Sequence, residues 1–308
     1  MPESGSLSQN GVSIWPLPDV EKPARWISCF VHDHIPLYYP LETLVDSPEF
    51  QRLRRLKQVG LGNYVFPSAE HSRFTHSLGV YHLAHQFATS LRDSDPSLQI
   101  SSEDVLCLSI AGLCHDIGHG PFSHMFDNEL LKERNPDSTW NHEHGSIQLI
   151  DRLFGRKEVR EHFTPYLGHG DRFDRNLTFI KELIHPGEKL DAEGKWRLQG
   201  RDLEKSYLYD IISNEEDGHD VDKYDYLMRD ALHCRVDITF GMSSLIRIRN
   251  NMRVFLDEQK GYKRIAFAKK ILSNLQSVGD SRQHMHRVVY QHYTCRAIER
   301  MLVEGLRG

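Results

Sequence analysis

Asp104-Val-Leu-Cys-Leu-Ser-Ile-Ala-Gly-Leu-Cys114-His115-Asp116-Ile117 reads as one buried helix with chemistry at its end. The run is apolar almost all round, which marks a central helix rather than an amphipathic surface one. Gly118 to Pro121 ends it. The odd feature is a histidine and an aspartate side by side at the C-terminal end. A carboxylate beside Leu113 and Ile117 is costly to bury unless something pairs with it. Adjacent helical residues point about 100° apart. At a helix end both still reach one ion lying just beyond the last turn. Imidazole nitrogen plus carboxylate oxygen suits Zn, Fe, Mn or Ni better than Ca. An isolated His-Asp pair is most simply a hydrogen-bonded cap, so its weight depends on further ligands.

Working outward, Ser72 is placed to cap a helix in which His76, Val80, Leu83 and Phe87 fall on one face. Asp46-Ser-Pro-Glu reads as another helix start. That helix should run through Arg52, Arg54, Arg55 and Lys57 and stop near residues 60–62. Trp26 to Val31 is a candidate strand, and residues 1–24, rich in Ser, Pro and Gly, read as a flexible tail. Downstream, Asn141 to Phe154 is an amphipathic helix and 156–203 a polar, variable excursion. Tyr207 to His233 holds a long helix with Asp222, Tyr226 and Arg229 on one face. Two more helices fit 243–257 and 280–306. The class is mainly α: one helical bundle over 25–308 with few short strands.

His76, His115, Asp116 and Asp222 thus form a set of two imidazoles and two carboxylates. Four such ligands leave positions for water and substrate, the mark of a catalytic site. His119, His124, Asp127 and His142 are acid–base candidates. Asp127, three residues after His124, is placed to orient that imidazole. Arg282, His286 and Tyr290, at i, i+4 and i+8, put a cation, an imidazole and an aromatic ring on one helical face.

Composition agrees. Nineteen histidines in 308 residues point to metal or acid–base chemistry. A hydrophobic share of 39 % fits a globule with a core and excludes a disordered chain. The longest apolar run is about half of the ~20 residues a bilayer span needs, and no leader-like segment opens the chain. Five cysteines without a C-x-x-C pair exclude a disulfide framework and a thiolate zinc site and imply an intracellular location. No basic run of the import type chooses between nucleus and cytoplasm. The net charge is −5, yet 13 basic and 5 acidic residues follow position 240. That +8 segment is a solvated face or a surface for a polyphosphate or nucleic acid.

Three stretches carry a resemblance. They are Phe66-Pro-Ser-Ala-Glu-His-Ser-Arg73-Phe-Thr-His76, Ile110-Ala-Gly-Leu-Cys-His115-Asp116-Ile-Gly-His119-Gly-Pro-Phe-Ser-His124-Met-Phe-Asp127 and Asp220-Val-Asp222-Lys223-Tyr-Asp-Tyr226. They resemble the HD-domain deoxynucleoside triphosphate triphosphohydrolases, and within them the animal branch that joins a SAM domain to an HD domain. The similarity spans about residues 40 to 300, without the SAM domain and C-terminal lobe. It implies that His76, His115, Asp116 and Asp222 hold Fe, Zn or Mn, with Mg on the triphosphate. Water then attacks the α-phosphorus of a dNTP and releases deoxynucleoside and inorganic triphosphate. His142, in Trp140-Asn-His-Glu-His-Gly145, matches the residue assigned catalysis, alongside His119, His124 and Asp127.

The resemblance also implies substrate contacts by Gln58, Val59, Arg73, His119, His124, Lys223, Tyr226, Asp230, Arg282, His286 and Tyr290. Among these, Arg73, Lys223 and Arg282 clamp phosphates. Tyr226 and Tyr290 pack on the sugar, Gln58 and Asp230 contact its 3′-hydroxyl, and Tyr226 bars ribonucleotides. Asp46, Gln51, Arg54, Lys270, Asn274 and His292 match positions that bind a GTP or dNTP activator and build a dimer or tetramer. The chain departs from the family where Ser28-Cys-Phe-Val-His-Asp33 replaces Asn-Asp-Pro-Ile-His-Gly. It departs again where Ser244, Ala268 and Tyr293 replace basic residues, so the resemblance supports the catalytic set more than the allosteric one. Two other readings are an HD phosphohydrolase acting on other nucleotides and a catalytically weak regulator that binds nucleotide or single-stranded nucleic acid.

Overall fold

The structure, a computed structural model, describes residues 23–306. The flexible tail expected over 1–24 lies outside them, except that positions 23 and 24 already belong to a strand. Strand β1 (Pro23–Cys29) pairs antiparallel with β2 (Asp33–Tyr38), Ile27 opposite Ile35. In β2 the alternate residues Ile35 and Leu37 are buried, as the period of two requires. The segment from Pro48 corrects the sequence reading. Ser47, not Asp46, caps it, accepting from the Phe50 amide at 3.3 Å. Helix Pro48–Gln51 tightens into a 3₁₀ turn, Arg52–Arg55, and Leu56 is already extended. Arg52 accounts for the early stop: its guanidinium donates to the carbonyls of Ile117 at 2.6 Å and His119 at 2.8 Å. The segment is docked on the loop that follows the central helix.

Helix α1 (Arg73–Ser94) buries His76, Val80, Leu83 and Phe87, the stripe its spacing predicts. The apolar run forms α2 (Ser102–Cys114), packed chiefly on α1. Ser101 and Asp104 cap it reciprocally: the Asp104 amide donates to Ser101 Oγ at 3.1 Å and the Ser101 amide to an Asp104 carboxylate oxygen at 2.9 Å. A pair of this kind contributes about 1 kcal/mol. Helix α3 (His142–Phe154) starts at the expected cap, Asn141.

Within the segment 156–203, residues 157–184 form α4 (Lys157–Leu167) and α5 (Asp171–Ile184), which bury Phe163, Leu167, Phe173, Phe179, Ile180 and Leu183. Helix α5 lies against α2. The outer faces of this pair are dense in charge, which hides the apolar period from a composition-based reading. Farther on, Arg201 returns to the core and donates to Asp104 at 2.6 Å and Asn176 at 2.7 Å.

The helix expected within 207–233 occupies the second half of that segment. A 3₁₀ stretch, Leu203–Asp210, precedes α6 (Val221–Cys234). Helix α7 (Met242–Asn250) fills only half of 243–257, and the rest is β3 (Met252–Asp257), paired antiparallel with β4 (Tyr262–Phe267). The expected 280–306 helix is instead α8 (Leu272–Met285), a wide π turn (His286–Tyr290) and α9 (Tyr293–Gly305). Among the described residues the sheets have two strands each. The class is mainly α.

Two histidines on α1 carry a testable stability term. Burial pushes the His82 imidazole down to about 3 and that of His85 down to about 4. Both fold as neutral rings, while the unfolded chain protonates near 6.5. Their contribution is complete above that value and is lost as pH falls toward 3–4. Melting temperature should therefore fall between pH 7 and 4, and His82→Leu should flatten that fall in calorimetric scans.

Candidate active site

The turn after α2 brings its last residues to α1 and α6. His76 Nε2 lies 2.9 Å from Asp222 Oδ1. His115 Nε2 lies 3.2 Å from His76 Nε2 and 3.4 Å from the same Asp222 oxygen. Asp116 flanks them, 3.6 Å from His76 Nε2 and 3.5 Å from His115 Nε2. Donor atoms of His76, His115 and Asp222 converge on one point with Asp116 alongside, brought there by α1, by the end of α2 and by α6.

The outer ring nitrogens fix which atoms face inward. His76 Nδ1 donates to Asp225 Oδ2 at 2.7 Å, and His115 Nδ1 to the Gly112 carbonyl at 2.9 Å. Both Nε2 atoms therefore point at each other, an arrangement that asks for a shared cation between them, a proton or a metal ion. Electrostatics says the same. Burial disfavours charge on His76, but Asp222 and Asp225 outweigh it and push the imidazole up to about 10. This is positive charge demanded by the site. Two imidazoles with carboxylates fit Zn, Fe, Mn or Ni.

A second group adjoins the first. His119 and His142 stack at 3.8 Å and 14°, and His124 stands edge-on to both. Asp127 accepts from His142 Nδ1 at 2.9 Å. This corrects the expectation that Asp127 orients His124. The wide turn Phe126–Leu130 carries Asp127 toward α3 instead. His142 arrives because Gly118 lets α3 dock: a Cβ at Gly118 would collide with the Ser146 backbone. Burial and the Arg73 guanidinium hold His119 well below the usual imidazole range. Both His119 nitrogens and Asp127 Oδ1 are buried without a hydrogen-bond partner. Orphaned groups of this kind mark a place made for a ligand.

Both groups open on a cavity of about 520 Å³. Its lining includes Gln58, Val59, Arg73, Tyr226, Asp230, Arg282, His286 and Tyr290, all expected. Arg73 is buried, pairs with Asp116 and donates to Ser123 Oγ at 3.0 Å. Burial raises the Asp116 carboxyl, but Arg73 outweighs it and holds the group well below the carboxylate range. Arg282, His286 and Tyr290 share the cavity because of the wide turn. In a regular helix each four-residue step overshoots a full turn by about 40°, and the wider turn offsets that drift. Tyr226 is within reach of Arg282.

Lys223 is a correction. It does not line the cavity; its Nζ donates to the Gly218 carbonyl at 2.6 Å. One residue after Asp222, it points about 100° away round α6. The expected activator residues do not line the cavity either. Asp46 pairs with Arg25 at 2.7 Å, Gln51 with Arg54 at 2.7 Å, and Arg54 lies 3.6 Å over the Phe74 ring. Lys270 is exposed, Asn274 donates to Ser244 at 3.0 Å, and His292 caps α9.

Sequence reasoning missed several residues. Asp225 and His32 support His76 from behind, with His32 Nε2 2.6 Å from Asp225 Oδ1. Asp225 was legible as a carboxylate one turn from Asp222, whereas His32 sits on a hairpin with no such signal. Arg296 and Glu299 of α9 also line the cavity. Phe122 and Ser123 line it in left-handed conformations, φ 65 and 57. Backbone strain of this kind gathers at functional sites.

Comparison with known proteins bears on the same residues. A family model described as HD domain matches residues 73–217. The deoxynucleoside triphosphate triphosphohydrolase SAMHD1 of Danio rerio is 42% identical over 287 residues, 92% of this chain and 45% of the relative. That of Homo sapiens is 40% identical over 276 residues, 89% of this chain and 43% of the relative. A SAMHD1 homolog from Dictyostelium discoideum is 33% identical over 288 residues, 92% and 49% respectively. The chain spans about half the length of these relatives. No helix among the described residues is long and apolar enough to cross a membrane.

Proposed function

We propose that the chain, which matches the HD domain over residues 73–217 and is similar over most of its length to deoxynucleoside triphosphate triphosphohydrolases, hydrolyses dNTPs to deoxynucleoside and inorganic triphosphate. One observation supports this above the others: His76, Asp116, Asp222 and His142 line one cavity with Arg282 and Tyr290, and His115 and Asp127 stand against His76 and His142. His76, His115, Asp116 and Asp222 would hold a divalent Fe, Zn or Mn, with Mg accompanying the triphosphate. When bound, such an ion lowers the pKa of a water and polarises a phosphoryl oxygen.

The chain's own residues do the rest. Arg73 and Arg282 offset charge on the triphosphate. The oxygen of a water joins the α-phosphorus and its surplus proton passes to solvent, while the bond to the 5′ oxygen breaks and His142 gives that oxygen a proton. Asp127 accepts from His142 Nδ1, which orients the ring and stabilises the imidazolium that carries this proton on Nε2. Tyr226 and Tyr290 flank the sugar, and Tyr226 excludes a 2′-hydroxyl by its bulk. Activation by GTP or a dNTP, assembly into a dimer or tetramer, and residence in nucleus or cytoplasm extend the same proposal.

Incubating the purified protein with each dNTP, with and without GTP, in the presence of Mn or Fe should liberate free triphosphate. No triphosphate under any condition sinks the proposal. Retention of single-stranded nucleic acid in its place, weakening steeply with salt, would favour the regulator reading. Asp127→Asn should preserve the fold and lower kcat by about 10²–10⁴-fold, because the amide no longer fixes His142. Steady-state kinetics on that variant checks the assignment.

A further inference from the structure

Asp230 is a buried carboxylate on the cavity wall with a protein partner on each oxygen. Oδ1 lies 2.7 Å from His71 Nε2, and Oδ2 accepts the Tyr290 hydroxyl at 2.7 Å. The three residues come from the loop before α1, from α6 and from the wide turn after α8. Asp230 and Tyr290 line the cavity, whereas His71 stands behind them. His71 is itself held in place. Its ring stacks on His233 at 4.4 Å and 14°, and its carbonyl accepts the backbone N–H of Gln58 at 3.0 Å. Gln58 lines the same cavity, and its Oε1 is buried with no hydrogen-bond partner.

A carboxylate offers about four lone-pair sites, and two of those on Asp230 are taken. The remainder can accept from a ligand. A carboxylate free to rotate would accept from many donors; one pinned on both oxygens accepts along a fixed line. The Gln58 amide completes a polar corner in an aromatic wall. A corner of this kind suits a hydroxyl, which gives its hydrogen to Asp230 and takes one from the side-chain NH₂ of Gln58.

We infer that His71 is a positioning residue: it pins Asp230 so that Asp230 and Gln58 select a ligand bearing a hydroxyl on its pentose. The inference rests on the nucleotide reading above, and touches no reacting atom. Without the His71 donor, Asp230 keeps one partner and turns about it, so the hydroxyl is no longer distinguished.

The test is equilibrium binding of thymidine triphosphate and of its 3′-deoxy counterpart by calorimetry, run beside turnover assays. Wild type should favour the hydroxyl-bearing nucleotide. In His71→Leu about tenfold of that preference should vanish, the worth of one buried charged hydrogen bond. His71→Gln, which restores an N–H donor, should recover much of it. A lost fold would lower both affinities together and leave their ratio, so the ratio separates positioning from stability. An unchanged ratio in His71→Leu, or no preference in wild type, overturns the inference. Binding with the preference intact but no triphosphate release from wild type overturns the proposed reaction alone.

Discussion

Asp222→Ala is expected to lower kcat/KM for triphosphate release by about 10³-fold or more while the protein stays folded. The reasoning starts from the two Nε2 atoms of His76 and His115, 3.2 Å apart. Asp222 is the anionic group closest to both. Without it two neutral imidazoles and a carboxylate already paired with Arg73 remain. That set is too weakly charged to retain a divalent ion. The Asp222 side chain is 37% exposed, so its loss opens no core cavity. Metal content by plasma mass spectrometry should fall together with turnover. Full activity with bound metal would mean that the ligands are elsewhere.

Asp225→Ala should act on stability instead, lowering melting temperature by roughly 10 °C. Asp225 is fully buried and serves three partners: His32, His76 and Arg229. Arg229 donates through Nε and Nη2 at 2.8 Å each and is 2% exposed. Removing the acid leaves an uncompensated guanidinium in the core, which costs about 3–5 kcal/mol. Gly79 shows how tightly the pair is seated, since any Cβ there would strike the Asp225 carboxylate. Asp225→Ala combined with Arg229→Met should regain part of the loss, because the orphaned charge goes too. Thermal denaturation of the single and double variants decides it. Equal melting temperatures for Asp225→Ala and wild type would refute the ion-pair account.

The helices that were legible in the sequence are those whose pattern repeats locally. The stripe His76, Val80, Leu83 and Phe87 and the apolar run before His115 both depend on neighbours within a few turns. Where the reading failed, the missing information was non-local. Helices α4 and α5 look polar because only one face of each meets the core. β3 reads as helix in isolation because its pairing partner β4 lies beyond a turn. The long C-terminal helix breaks at Gln291 and His292 because a wide turn aims Tyr290 at Asp230.

By itself the sequence determined the chemistry available: imidazoles and carboxylates at the ends of buried helices. It did not determine aim. That Asp127 serves His142, that Lys223 turns away, and that His71 stands behind Asp230 follow from how helices pack. Side-chain direction depends on the rotation of each helix against its neighbours, and that rotation is set by burial across the whole core, not by any one segment.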